Sequence, residues 1–262
     1  MPKKIAMFKP GVRSYQNTAL DNFDQDIHPD ILRYLQTNFR AACKEHFHYE
    51  VDPVWDEIVS ALFRPSGNTR VALAHASGCR PHSLAAALSV WFLLCTHMGR
   101  AFVFSPDIAT FTIAREIIQL MTLDNPALGY ALEFDALSVR LKAAPERRIE
   151  WMHPDTLTDT KIEQMKGCYS FVFVDQAHQC ANELLEALRE AIYPQQAALI
   201  AGVPMSAHGA FKALYDDPDF VAMRIDAMAL GEFHAAEAQK ARELNGEDSD
   251  LYRSTMLAEF PH

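Results

Sequence analysis

The stretch Phe171-Val-Phe-Val-Asp-Gln-Ala-His178 is a run of four apolar residues that ends abruptly on an acid. Apolar residues without polar alternation describe a strand buried on both faces, as a central parallel strand must be. The same signature recurs at Val71-Ala-Leu-Ala-His75, Ala101-Phe-Val-Phe-Ser105 and Ala197-Ala-Leu-Ile-Ala201, with Val221 to Ile225 as a last candidate. Helical stretches separate them: Ser83 to Met98, Ile108 to Met121 with Ile113, Ile117 and Leu120 on one face, and Glu183 to Ile192. Leu137 to Leu141 and Arg148 to Met152 read as shorter strands forming a hairpin or an edge. Two helices, around Phe233 to Leu244 and Ser249 to Glu259, close the chain with Asn245-Gly246 between them. Strands alternating with helices predict an α/β fold, a mainly parallel sheet flanked by helices. Residues 1 to about 50 are polar, with a helix-like stretch from Ile31 to Phe47 and little core character. They read as a helical arm before a domain over residues 51–262, docking either on that domain or on a neighbour.

Composition narrows the function. The chain has 262 residues, is 49% hydrophobic and carries a formal net charge of -10, which argues against a surface that coats duplex DNA. A local basic patch is available at Arg140, Lys142, Arg147 and Arg148, so contact with DNA is expected through one edge or through partner subunits. The longest apolar run, Leu84 to Cys95, is too short to span a bilayer and suits a buried helix. The N-terminus has no apolar core of signal-peptide length, and no membrane role is expected. Five cysteines without a CxxC pair fit a reduced cytosolic setting better than a disulfide framework.

Ligands of open parallel sheets gather at the carboxyl ends of the strands, and four such places are informative. Ala74-His-Ala-Ser-Gly-Cys-Arg-Pro-His-Ser83 is a strand-to-helix turn where a phosphate-binding loop would lie. A working loop, GxxxxGK[ST], uses glycines for close backbone approach, lysine for the terminal phosphates and a hydroxyl for magnesium. This turn has Gly78 and no lysine. The apolar run ending on Asp175 has the form of a Walker B strand, whose acid holds magnesium. Gln176 occupies the place of the glutamate that polarises the attacking water; an amide can hydrogen-bond that water but cannot take its proton. Ile200-Ala-Gly-Val-Pro-Met205 ends where a polar γ-phosphate sensor is expected, and Trp55 precedes the loop where an aromatic ring could stack on adenine.

Together these segments resemble the ATPase domain of viral terminase large subunits. The resemblance runs from about residue 50 to the end and rests on order and spacing. Asp52-Pro-Val-Trp-Asp-Glu-Ile-Val-Ser-Ala-Leu62, Arg70-Val-Ala-Leu and Leu84-Ala-Ala-Ala-Leu-Ser-Val-Trp-Phe92 are similar to that domain's opening. Phe104-Ser-Pro-Asp is similar to its next strand end, and Met165 to His178 to its Walker B segment with its lead-in. Gly202-Val-Pro-Met-Ser-Ala-His-Gly-Ala-Phe resembles its coupling motif, and Glu247 to Pro261 the stretch that leads on to the nuclease. The resemblance implies a P-loop NTPase fold of the ASCE type, ATP and magnesium as cofactors, and a ring or hetero-oligomer in the host cytoplasm. Portal, other terminase subunits and viral DNA would be the partners. No nuclease domain follows in this sequence.

The departures fall on the chemistry. Arg80, Pro81 and His82 stand where the family has Gly, Lys and Ser/Thr; a shift by one puts Pro81, His82 and Ser83 there, and neither register has lysine. Gln176 replaces the catalytic glutamate, and Val203 the coupling asparagine. This implies a scaffold that outlived hydrolysis, with Gly78, Arg80, His82, Ser83 and Trp55 as remaining nucleotide contacts, Asp175 as the metal residue and Gln176 in the catalytic position. An active ATPase using Arg80 or His82, or an interaction module without nucleotide, are the alternatives. His75, Cys79 and His82 also form an H-x3-C-x2-H cluster, open to a Cys–His nucleophile or a zinc site, with incidental turn residues as the plainer account. Likewise Trp55 is more often core than platform, Arg80 exposed charge, and Asp175 a strand-end acid.

Overall fold

Strands buried along their whole length need cover on both faces, and this chain supplies it with helices on each side of one sheet. The computed structural model describes residues 38–64, 67–68, 70–95, 99–166, 170–192 and 196–261. The main sheet has eight strands: β1 (Arg70–His75), β2 (Arg100–Phe104), β3 (Leu132–Phe134), β4 (Ser138–Leu141), β5 (Arg148–Met152), β6 (Ser170–Val174), β7 (Ala197–Gly202) and β8 (Val221–Ile225). Their spatial order is β8-β1-β7-β6-β2-β5-β4-β3. The first six in that order are parallel neighbours, while β4 pairs antiparallel with β5 and with β3. A short antiparallel pair, Phe63–Arg64 with Gly67–Asn68, stands apart.

The helices are α1 (Phe39–His46), α2 (Asp56–Leu62), α3 (Pro81–Cys95), α4 (Ile108–Asp124), α5 (Pro126–Ala131), α6 (Asp159–Lys166), α7 (Asn182–Ala191), α8 (Ala210–Tyr215), α9 (Glu232–Asn245) and α10 (Asp250–Met256). The two-residue period of the strands sorts the core into two layers. Val71, Leu73, Val103, Phe171, Phe173 and Leu199 face α1 to α4, whereas Ala72, Phe102, Phe104, Val172, Val174 and Ile200 face the α6–α8 side. Between Leu84 and Leu94 the helix α3 has no exposed position, which is why its sequence is apolar all round. Phe39 of α1 meets Trp91 of α3 edge to face, with centroids 5.6 Å apart.

Four expectations change. Helix α4 buries Phe111, Ala114, Ile118 and Met121, leaving Ile113 40% and Leu120 61% exposed; two apolar stripes share this helix, and packing on α3 selects the other one. Strands β4 and β5 do form the expected antiparallel hairpin, but not the edge: β5 is bonded to β2 and the sheet edge falls to the three-residue β3. Phe39, Ala42, Cys43 and Phe47 belong to the main core, so the described part of the N-terminal region has core character; Ile31 to Thr37 lie outside the described residues. The basic patch, too, is already engaged. Arg140 pairs with Glu133 and Asp135, Arg148 with Glu150, and Lys142 donates to the Tyr130 carbonyl. Arg147 is buried and donates through Nε (3.1 Å) and Nη2 (2.5 Å) to the Leu93 carbonyl, neutralising the carboxyl end of α3.

Arg147→Met is expected to destabilise the chain by about 2 kcal/mol, because the buried Leu93 carbonyl loses its donor. The exposed Arg140→Met should change it by no more than about 0.5 kcal/mol. Urea unfolding of both variants checks the contrast, and equal effects would place the weight on surface charge instead.

Candidate functional site

The ends of β1, β6, β7 and β2 surround a cleft of about 670 Å³. Its lining includes His75, Ser77, Gly78, His82, Asp107, Thr110, Asp175, Gln176, His178 and Thr255. The first wall is the turn between β1 and α3. Gly78 sits at φ +88°, and a Cβ there would meet the His234 ring of α9 at 2.7 Å, so glycine is required by both conformation and space. Proline at the first position of α3 fits its missing N–H.

Three backbone donors of this turn are bonded within the protein. The Ala76 N–H goes to Ile225 O (2.8 Å), the Ser77 N–H to Thr255 O (2.7 Å) and the Cys79 N–H to Ala76 O (3.2 Å). Pro81 has no N–H to offer. A phosphate cradle is made of such donors turned outward. Here the C-terminal segment, through Thr255 and His234, covers the turn from outside.

The helix start at Pro81 fixes which side chains reach the cleft. Gly78 and His82 line it, as do Asp175 and Gln176. Ser83 turns away: its Oγ donates to Arg80 O at 2.8 Å and is hydrogen-bonded to Tyr49. Of the two loop registers, the one with Arg80, Pro81 and His82 therefore carries the cleft-facing side chain. Arg80 is exposed and Trp55, 5% exposed, lies in the core; neither is part of the lining.

Asp175 continues the sheet, its N–H donating to Phe104 O at 2.8 Å, and its carboxylate is only 3% exposed. Asp107 caps α4 by accepting the Ala109 N–H at 2.8 Å. That cap places Thr110 in the first turn, where Oγ1 donates to Asp175 Oδ2 at 2.9 Å. Burial pushes the Asp175 carboxyl up to about 6, against the pull of the Thr110 and Gln176 hydrogen bonds; the Asp107 charge adds to the rise. Gln176 stands in the left-handed region at φ 50°, ψ 44°, at a cost of about 1–2 kcal/mol for a residue with a Cβ. Behind it His178 accepts the Val203 N–H through Nδ1 at 3.1 Å, tying the end of β6 to the end of β7. Gly202 allows that approach, since a Cβ there would lie 3.1 Å from the His178 backbone nitrogen.

The lining holds two carboxylates and no lysine or arginine. Burial lowers His75 to about 4 and lowers His82 and His178 as well, so all three rings are uncharged at neutral pH. Burial also pushes the Cys79 thiol up to about 12. That stands against a Cys–His nucleophile, which needs a thiolate beside an imidazolium. Among the described residues no three His, Cys, Asp or Glu side chains are placed to hold a metal ion, which removes the zinc reading of His75, Cys79 and His82.

No protein-family model and no curated protein matches the sequence. Solved structures do. A variant of the Thermus phage P74-26 large terminase ATPase domain superposes with a TM-score of 0.58 at 17% identity, over 83% of this chain and 97% of that one. The HK97 bacteriophage large terminase gives 0.61 at 12% identity, over 80% of this chain. The chain has the fold of the phage large terminase ATPase domain. It spans about half (51%) of the HK97 large terminase. The parallel sheet expected from the sequence is thus that of the P-loop NTPase fold, and no helix among the described residues is long and apolar enough to cross a membrane.

Reading the motifs missed several residues at this cleft. Asp107 and His178 stand in the quoted strand-end segments and could have been found as polar residues next to Phe104 and Asp175. Thr255 and His234 carry no local signal, because the fold of the C-terminal helices alone brings them to the turn.

Two buried titrations oppose each other here. Asp175 is raised from 3.8 to about 6, so its contribution is full below 3.8 and lost as pH rises through about 6, a change of about 3 kcal/mol. His75 is lowered from 6.5 to about 4, so its contribution is full above 6.5 and lost as pH falls through about 4. Asp175→Asn is therefore expected to gain up to about 3 kcal/mol near pH 7.5, with the gain vanishing toward pH 4. Urea unfolding at several pH values measures it; a gain independent of pH would show that the carboxyl is not raised.

Proposed function

We propose that this chain is a terminase-type packaging ATPase domain that no longer hydrolyses ATP and serves viral genome packaging as a structural or regulatory subunit. The observation that carries the reading is the turn from Ala76 to Pro81. It has no lysine, and its Ala76, Ser77 and Cys79 amides are engaged within the protein. A Mg–triphosphate fits these residues poorly: Asp175 is present, but the loop hydroxyl of Ser83 faces Tyr49 and Arg80. Gln176 supports the same reading, because its amide can orient a water but not deprotonate it.

The order and spacing of the segments, together with the shared fold, support a place in a packaging assembly. Portal, other terminase subunits and viral DNA are the partners this reading assigns, in a ring or hetero-oligomer in which an active subunit supplies turnover. With Arg140 and Arg148 paired to acids and the net charge at -10, the domain would reach DNA through those partners more readily than through its own surface. A competing reading, an active ATPase with His82 in place of lysine, draws on His82's position on the cleft. Burial works against it by keeping that imidazole uncharged at neutral pH.

Calorimetric titration with ATP and magnesium, paired with a phosphate-release assay, is expected to give no turnover and no binding tighter than about millimolar. Turnover that Asp175→Ala abolishes would overturn the proposal.

A further inference from the structure

The cleft remains as a cavity of about 670 Å³ whose chemistry is the reverse of a phosphate site. We propose that it receives a guanidinium or ammonium group, held by Asp107, Asp175 and the bare Nε2 of His75. This rests on the reading that the turn no longer holds nucleotide, and it names what the cleft would hold instead.

Three observations carry it. The lining contains two carboxylates and no lysine or arginine. The Asp107 charge reaches Asp175, and no cationic side chain stands among the residues lining the cleft with them. Independently, His75 is 5% exposed and borders the cleft; its Nδ1 is committed to Ala76 O at 3.0 Å, while its buried Nε2 has no hydrogen-bond partner. With the proton on Nδ1, that Nε2 is a pure acceptor, so the missing partner is a donor. Guanidinium and ammonium groups are donors only, and carry the charge that two carboxylates favour.

The opposing field comes from two helix amino termini, of α3 and α4, each worth about half a positive charge. Asp107 caps α4 and cancels that one, which leaves the acidic groups in excess. Arg80 lies outside the lining, exposed, and His82 and His178 are uncharged rings that add donors or acceptors but no field at neutral pH. Ile113 and Met205, both partly exposed at the cleft, give the aliphatic stem of such a ligand an apolar wall.

The test uses the full chain and agmatine, an alkyl guanidinium. Saturable calorimetric binding is expected, with a shift of the His75 Nε2 nitrogen resonance on addition. Asp107→Asn should weaken binding about tenfold, because asparagine keeps the cap on α4 and removes only the charge. A capped Ala-Arg-Ala peptide separates the sources: tighter binding than agmatine assigns the group to a protein side chain, weaker binding to a free amine. The proposal is overturned if agmatine does not bind, if it binds Asp107→Asn equally well, or if inorganic triphosphate occupies the cleft in its place. Absent agmatine binding combined with absent ATP binding would sink this inference and leave the proposed function standing, whereas ATP turnover would sink the latter.

Discussion

A backbone amide can serve one strong acceptor at a time, and the Ser77 amide serves the Thr255 carbonyl at 2.7 Å. Much of the site's character depends on that bond and its neighbours. The turn between β1 and α3 has the position and the glycine of a phosphate loop, but its Ala76, Ser77 and Cys79 donors bond within the protein. With those amides engaged and no N–H at Pro81, side chains make up much of the cleft wall. The identity of those side chains then sets the chemistry, and they are acids and neutral imidazoles.

The same burial produces two opposite shifts. Low access to water raises Asp175 and lowers His75, because each resists its own charged form. Neither group is relieved by a counter-charge from the lining. Structural ion pairs elsewhere, such as Arg148 and Lys161 on Glu150, have that relief and hold the carboxyl below its usual range despite burial. The contrast marks the cleft as the place where this chain leaves polar groups uncompensated.

How much of this was legible in the sequence follows from where each signal lies. Strands β1, β2, β6 and β7 each carry a private run of four or five apolar residues, so the sheet could be read locally. Strand β3 is Leu-Glu-Phe, too short to show a period, and α6 (Asp-Thr-Lys-Ile-Glu-Gln-Met-Lys) is too polar to announce itself. Helix α4 carries apolar residues on two stripes, and only packing distinguishes them. Asp175, Gln176, Gly78 and His82 were legible because strand ends converge in any open parallel sheet. The direction of Ser83 was not, since it depends on where α3 begins and on Tyr49, and the depth of Trp55 depends on contacts from distant segments.

The closing helices sharpen the physical picture. Their own core, Ala76, Ala227, Ala238 and Tyr252, is small, and one of its members belongs to the turn itself. Further ties are the bonds Ser77 to Thr255 and Ala227 to Met256, the His234 ring over Gly78, the Arg224–Glu259 ion pair and Phe260 against Phe211 and Tyr215. The C-terminal segment is thus fastened both to the turn after β1 and to β8 and α8. Turning the Ser77 amide outward would break the bond to Thr255, and a side chain at Gly78 would displace His234. The Ser77 amide and the space above Gly78 are thus held by the C-terminal pair in this fold.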